Sequence, residues 1–359
     1  MSGEFPYATV LVTGAGGWLG SRLVESLARG LPDDERFSSP APGLRIKAFL
    51  LPGEDAARLR KQAPQVEIVT GDVSNPADCA RLCAEAAQGL LVHTAGVIHP
   101  HRARDFTNVN LEGTKNVLDA AIKANVRRAV VVSSNSPIGC NPTREHRFDE
   151  NSPYNPYMGY GRSKMEMELA VKSVQESGRL ETVIIRPPWF YGPNQPPRQG
   201  LFFRMIRDGK APVVGDGNNV RSMAYIDNLC QGLLLASTVD RANGQIYWIA
   251  DRRAYTMNEI IDTIERLLED EFHVPCAHKR LRLPSLASTI AMVVDQAMQT
   301  TGLYNQKIHV LGEMNKNIAC SVRKAEEELG YKPTIELKEG MRRSLAWMKE
   351  VGRDELFRP

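Results

Sequence analysis

The sequence predicts a doubly wound α/β fold, a parallel sheet covered by helices on both faces. Three observations carry that expectation. Short, continuous apolar runs recur along the first half of the chain, as in strands buried on both faces. Helix-period segments separate those runs, and strand–helix alternation of this kind closes into parallel crossovers. The first run, "ATVLVTG" (8–14), also ends in a glycine-rich turn that opens a helix pattern, "SRLVESLARGL".

The remaining elements follow in order. "RIKAFLL", "VEIVTGDV", "GLLVHTAG" and "RRAVVVSS" supply the second to fifth strands, with "NPADCARLCAEAA" and "NLEGTKNVLDAAIKA" as helices between them. The polar, Pro-rich stretch 32–43 reads as a loop. From about residue 188 Pro, Gly and Asn become dense in "PPWFYGPNQPPRQG" and "VVGDGNNV", the texture of loops over a site. A strand pattern returns at 244–250, and helices are expected at 256–270, 285–299, 323–329 and 338–350. The expected organisation is one unit over 1–187, rejoined by about 225–255, and a smaller, discontinuous unit from 188–224 and 256–359.

Composition narrows the classes of function. The chain has 359 residues, 42% apolar and 24% charged, with a net charge of +3. That balance gives no global attraction to nucleic acid or to an anionic membrane. The amino-terminal stretch has no basic segment followed by an apolar one, so no export signal is read and a cytoplasmic location is expected. No run approaches the ~18 apolar residues of a spanning helix. The nearest, 283–299, is interrupted by Asp295 and is expected to be a buried or surface-lying amphipathic helix. Six cysteines in such a chain read as reduced thiols, with Cys79 and Cys83 as core residues rather than metal ligands. His99 and His101 read as loop residues.

The turn "TGAGGWLG" spaces Gly14, Gly17 and Gly20 three apart between a strand and a helix, with Trp18 and Leu19 in the same turn. Glycine there lets the backbone approach a ligand, and the helix N-terminus offers N–H groups to a pyrophosphate. Further on, "YGRSK" sets Tyr160 and Lys164 four apart on one helix face. Ser133 and Ser134 fall at the carboxyl end of the fifth strand, where α/β sites lie.

Together with "GDV" (71–73), "HTAG" (93–96), "RPPWFYGP" (186–193), "GDGNNVRSMAYIDN" (215–228) and "ELGYKP" (328–333), these motifs resemble the extended class of the short-chain dehydrogenase/reductase family, over nearly the whole chain. The resemblance implies a Rossmann domain with a smaller carboxyl-terminal substrate domain. It implies that Asp72 and Val73 sit by the adenine, that Ala95 and Gly96 line the cofactor, that Asn110 supports the site, and that Pro187 lies beside the nicotinamide. Ser134, five residues before Gly139, takes the place of the catalytic serine, with Tyr160 as the base and Lys164 holding the nicotinamide ribose. Free tyrosine has a pKa of ~10, so a nearby ammonium and the nicotinamide ring are expected to lower it.

Cofactor choice rests on the end of the second strand. Leu50 and Leu51 stand where an acidic residue would bind the ribose 2′-OH, Glu54 and Asp55 follow slightly late, and Arg22 and Arg58 could lie nearby. The reading is NAD, with NADP not excluded. Asn135 and Ser136 replace the acidic residues that sugar dehydratases and decarboxylases of the family carry after the serine, which leaves redox or epimerisation.

Arg221 falls where nucleotide-sugar members place an Arg on the diphosphate, and Arg198 would add a second cation. Trp189 departs from the epimerase pattern and, with Phe190, Phe202 and Phe203, could line an apolar pocket as in the 3β-hydroxysteroid dehydrogenase-like branch. The substrate reading is a nucleotide sugar, with a sterol or lipid hydroxyl as alternative and a non-catalytic dinucleotide sensor as the third class. A homodimer through the helices at about 106–125 and 158–176 is implied by resemblance; the stripe Val109, Val117, Leu118, Ala121 and Ile122 fits either that seam or the sheet.

Overall fold

A computed structural model describes residues 5–100, 102–352 and 356–357. The first half runs β1 (Thr9–Thr13), α1 (Trp18–Arg29), β2 (Arg45–Leu50), α2 (Ala57–Gln62), β3 (Glu67–Thr70), α3 (Pro76–Cys83) and β4 (Leu90–His93). A π-helical stretch, Phe106–Glu112, then continues into α4 (Gly113–Lys123), followed by β5 (Arg128–Val132), α5 (Met158–Glu176) and β6 (Glu181–Arg186). The second half adds β7 (Trp189–Tyr191), α6 (Pro197–Arg207), β8 (Pro212–Val214), β9 (Val220–Tyr225), α7 (Ile226–Thr238), β10 (Ile246–Trp248) and β11 (Ala254–Thr256). It closes with α8 (Met257–Asp270), β12 (Leu281–Leu283), α9 (Ser285–Thr300), α10 (Gln306–Glu313), α11 (Arg323–Leu329) and α12 (Leu337–Glu350).

Seven parallel strands form the central sheet in the order β10-β6-β5-β4-β1-β2-β3. The order reverses between β1 and β4, and α/β sheets open a ligand crevice at the carboxyl ends of the strands beside such a switch. Side chains alternate across the sheet. Val10 and Val12 of β1 enter one apolar layer and Leu11 enters the other. The returning strand at 244–250 joins this sheet as β10, beside β6.

Four helices were hidden from the sequence pattern: the short α2 and α10, and the longer α6 and α7. Proline tolerates the first turn of a helix, so Pro196 and Pro197 start α6 inside what reads as a loop. In α7 every residue but the last is buried, so it shows no polar face to give it a period. Val117, Leu118 and Ala121 of α4 pack on the sheet, with Val109 and Ile122 at the layer's margin. Cys79 and Cys83 are fully buried in that layer, and burial pushes both thiols up to about 12. His101 lies outside the described residues. Among the described residues no helix is long and apolar enough to cross a membrane.

One buried ion pair fixes α5 to the sheet. The Glu168 carboxylate is fully enclosed; Oε1 accepts from Arg186 Nε (3.0 Å) and the Ser133 hydroxyl (2.6 Å). Its Oε2 accepts from the second Arg186 branch (2.7 Å) and the Tyr154 hydroxyl (2.8 Å). Removing one partner strands the other charge in a dry interior. Glu168→Ala is expected to cost about 3–5 kcal/mol in urea unfolding.

Candidate active site

The glycine turn is built for close approach. Gly14 holds φ at 66°, and a Cβ there would stand 2.7 Å from the Ala95 nitrogen. A Cβ on Gly20 would collide with the Gly14 carbonyl oxygen, which also accepts from the Gly17 N–H at 3.0 Å. Gly17 caps α1, so the free N–H groups at Trp18 and Leu19 open towards the switch point. The Trp18 indole itself is otherwise engaged: Nε1 donates to the Pro193 carbonyl at 2.7 Å, and the ring packs on Phe190 at 4.9 Å.

Glu54 reaches this turn despite its late position in sequence. A tight turn after β2 brings its carboxylate against Gly16, so close that a Cβ on Gly16 would collide with it, and Oε2 accepts from the Leu51 N–H. Arg22 forks onto the Asp227 carboxylate at 2.6 and 2.9 Å and is thereby occupied, while Arg58 Nε donates to Gln62. Asp72 accepts from the Ser74 N–H through its side chain, and Val73 is buried against Gly113. Ala95 and Gly96 follow β4, and Pro187 follows β6, buried. A Cβ on Gly96 would stand 3.2 Å from Asn110 Oδ1 and 3.3 Å from Lys164 Nζ. This bare strip, with an acid at one end and an ammonium at the other, fits an extended dinucleotide whose ribose hydroxyl meets a carboxylate.

Ser134 and Tyr160 meet, and Lys164 lies one helical turn further along α5. The Ser134 hydroxyl shares a hydrogen bond with the Tyr160 phenol and accepts from the Ser136 N–H at 3.1 Å. Lys164 is 4% exposed, and its Nζ donates to the Val132 carbonyl at 3.0 Å. Asn110 clamps the strand exit by accepting from the Val97 N–H (2.8 Å) and donating to the Val97 carbonyl and to Ser163 (both 3.0 Å). The expected lowering of the phenol is not supplied by these side chains. Burial pushes Tyr160 up to about 12, with the Ser134 hydrogen bond and the Arg198 charge opposing and Glu313 adding to the rise. Burial pulls the Lys164 ammonium down to about 8, against the Glu168 carboxylate.

The α9–α10 pair roofs this centre with residues that sequence reasoning missed. Gln299 Oε1 accepts from the Gly159 N–H at 2.9 Å, and Phe106 packs between Tyr160 (tilted, 5.9 Å) and Tyr304 (edge to face, 5.5 Å). Tyr304 hydrogen-bonds His99 at 2.6 Å. His309 Nδ1 lies 2.7 Å from Asp295, and its Nε2 lies 3.8 Å from the Glu313 carboxylate. The half-buried Arg221 guanidinium donates to the Glu313 carbonyl, close enough to Tyr157 and Cys140 to feel both. Arg198 forms no salt bridge among the described residues and acts electrostatically on Tyr160 and Tyr304. These residues lie far apart in the chain, and "YNQKIHVLGE" carries no spacing that marks it.

The four aromatics of the alternative, sterol-type reading do not gather into one cluster. Phe203 is buried in the core, Phe190 rests on Trp18, and only Phe202 meets Trp189, edge to face at 6.0 Å. No carboxylate follows Ser134; Asn135 and Ser136 close a turn through their carbonyls, which accept from Ile138 and Tyr157. No cluster of three metal-ligating side chains occurs among the described residues.

A parallel sheet with a glycine turn at its switch point and a serine, tyrosine and lysine beyond the adjoining strand defines the extended dehydrogenase/reductase class of Rossmann enzymes. Residues 10–250 match the model of the NAD dependent epimerase/dehydratase family, and the chain belongs to it. Its cofactor is therefore NAD. An uncharacterized protein of Sinorhizobium fredii is 49% identical over 96% of both chains. The dTDP-glucose 4,6-dehydratase of Streptomyces antibioticus is 30% identical over 95% of this chain and 92% of its own. A decarboxylating sterol-4-alpha-carboxylate 3-dehydrogenase of Schizosaccharomyces pombe is 29% identical over 96% and 98%. Among solved structures, a double mutant of the dTDP-glucose 4,6-dehydratase DesIV from Streptomyces venezuelae with NAD bound superposes with a TM-score of 0.73 at 27% identity, over 95% of this chain and 97% of that one.

The geometry sets two expectations. Gly20→Val, which drives a side chain into the Gly14 carbonyl, is expected to abolish NAD binding in a fluorescence titration while the protein still folds. Lys164→Met is expected to unfold at higher urea than wild type at pH 7, by about 1–2 kcal/mol, because a buried ammonium is costly. The sign is fixed by the depressed pKa: the cost is present in full below about 8 and is relieved as the pH rises towards the ordinary 10.5, so the gap between variant and wild type narrows across that window.

Proposed function

We propose that the protein is an epimerase or oxidoreductase that transfers hydride at a secondary alcohol or ketone carbon of a nucleotide-activated sugar. The observation that carries this reading is the pair Arg198 and Arg221 beside the candidate centre. Arg198 forms no salt bridge among the described residues and its charge acts on the Tyr160 and Tyr304 phenols, while the Arg221 charge is met by the Glu313 carboxylate and then by Cys140 and Tyr157. Guanidinium groups so placed match diphosphate oxygens by forked, charge-assisted hydrogen bonds. In this reading NAD, when bound, accepts and returns the hydride. Gly14, Gly17, Trp18, Leu19, Gly20, Asp72, Val73, Ala95, Gly96 and Pro187 hold it, together with Tyr160 and Lys164.

The chemistry of the side chains follows from their positions. Tyr160 takes the proton from the substrate hydroxyl or returns it to the ketone, and Ser134 hydrogen-bonds the same oxygen. Lys164 holds its ammonium beside Gly96, where it reaches the nicotinamide ribose in this reading. Asn135, Ser136 and Trp189 line the sugar side. The absence of a carboxylate after Ser134 supports redox or epimerisation over elimination. The protein is taken to be a cytoplasmic homodimer joined through 106–125 and 158–176, where Leu169 stands exposed.

Differential scanning fluorimetry with NAD or NADP, alone and with UDP, dTDP or GDP, tests the reading without a guess at the reaction. A ligand at a hundred times its dissociation constant stabilises by about 2.7 kcal/mol, a readily seen shift. One nucleoside diphosphate is expected to raise the melting temperature of the NAD-loaded protein, and Arg221→Ala to remove that increment alone. A shift with dinucleotide only would overturn the sugar reading in favour of an apolar hydroxyl substrate. Tyr160→Phe is expected to lower kcat by about 10²–10⁴-fold with NAD affinity retained; retained turnover would remove Tyr160 from the chemistry.

A further inference from the structure

The helix α9 buries two of its polar residues and exposes part of its apolar set. Ser288 and Asp295 are fully buried, while beside the exposed Thr289 and Gln296 the side chains of Leu286 (64% exposed), Ile290 (55%) and Val293 (59%) face outward. Those three recur at helical spacing, so they form one stripe. Leu303 (59% exposed) and Val310 extend the same surface across the hairpin onto α10. The inward polar groups are satisfied. Ser288 donates to the Gly312 carbonyl at 2.6 Å, and Asp295 holds His309 and Gln299. The outward stripe therefore does not reflect a misplaced helix, since turning α9 over would strand those groups.

The exposed charges of the stripe's own segment have one sign. From residue 279 to residue 312 Asp295 is the sole acidic residue, and it is fully buried. Lys279, Arg282 and Lys307 are exposed there, while Arg280 is held by Asp262. Arg102 and Arg104 are also exposed, next to Ala103, whose N–H donates to the Gly302 carbonyl at the end of α9. An apolar stripe whose own segment, 279–312, exposes cations and no acid complements an anionic lipid surface, into which such a helix sinks to the headgroup–acyl boundary. The nearby acids Asp262, Asp105 and Glu313 are engaged by Arg280, by the Arg102 N–H and beside His309. A symmetric contact with a second copy would set the same cations against one another.

We propose that the α9–α10 face docks the protein on an anionic membrane surface. The opposite side of the same hairpin carries Gln299, Tyr304 and Glu313 over Tyr160, so the docked face backs directly onto the candidate active site. The proposal is independent of the substrate assigned above.

Vesicle flotation of the full chain tests it, with phosphatidylcholine vesicles compared against vesicles in which phosphatidylglycerol replaces about a third of the lipid. The protein is expected to float with the anionic vesicles, to be released by high salt, and to ignore the zwitterionic ones. The pair Ile290→Asp and Val293→Asp is expected to abolish flotation with the melting temperature and NAD titration unchanged, because both side chains are exposed. Should that pair fail to fold, Ile290→Ser with Val293→Ser takes its place. Lys279→Ala, Arg282→Ala and Lys307→Ala are each expected to weaken binding about fivefold. Three outcomes would overturn the proposal. They are no flotation with either vesicle, flotation indifferent to the apolar pair, or loss of a dimer in sedimentation on replacing that pair without any vesicle binding by wild type.

Discussion

The position of the candidate catalytic side chains depends on the Glu168–Arg186 pair. Tyr160, Lys164 and Glu168 are spaced four apart on α5, so whatever fixes Glu168 sets the rotation of that whole face. Arg186 ends β6 and Ser133 follows β5, and both bind the same carboxylate. The helix is thus keyed to two adjacent strands at the carboxyl edge of the sheet. Arg186 also lies over the Tyr154 and Trp248 rings, 5.6 and 5.7 Å from their centroids, so its charge is enclosed by groups that tolerate it. A buried pair of this kind adds little net stability against an apolar replacement, and its value here is orientation.

Around that key the site works against the stability of its own members. The ammonium of Lys164 is held where water cannot solvate it, and the Tyr160 phenol is enclosed so that ionisation is harder than in water. Each group on its own is costly. A cationic ring placed beside the phenol would favour the phenolate that burial opposes. The glycine turn obeys the same logic, since its bare backbone gives up side-chain packing for access.

How much of the structure was legible in the sequence depends on range. The central sheet was legible because a strand buried on both faces writes its apolar run locally, as "RAVVV" does in β5. Ser134, Tyr160 and Lys164 were legible because one strand end and one helix turn fix them. Glu54 was nearly missed because a turn, rather than the strand, delivers it to Gly16. His99, Tyr304, His309 and Glu313 were not legible, because they meet only when α9 and α10 fold back over residues some two hundred positions earlier. The helix at 285–300 was legible as a helix, but its polarity was not; the burial of Asp295 depends on His309, which no local pattern pairs with it.

The π-helical stretch Phe106–Glu112 sets a further condition on how this chain can vary. Such a stretch holds one residue more than the α-helix it interrupts. Here it lets Asn110 face Val97 and Ser163 while Val117, Leu118 and Ala121 downstream still face the sheet. Deleting one of its residues would restore regular α geometry with the downstream helix still in phase, so the apolar stripe would keep facing the sheet. Asn110, which sits inside the widened turn, would lose its place against Val97 and Ser163. Homologous chains that keep both are expected to differ freely in length in the loop at 32–43 and to keep the count between Ala95 and Gly113 unchanged.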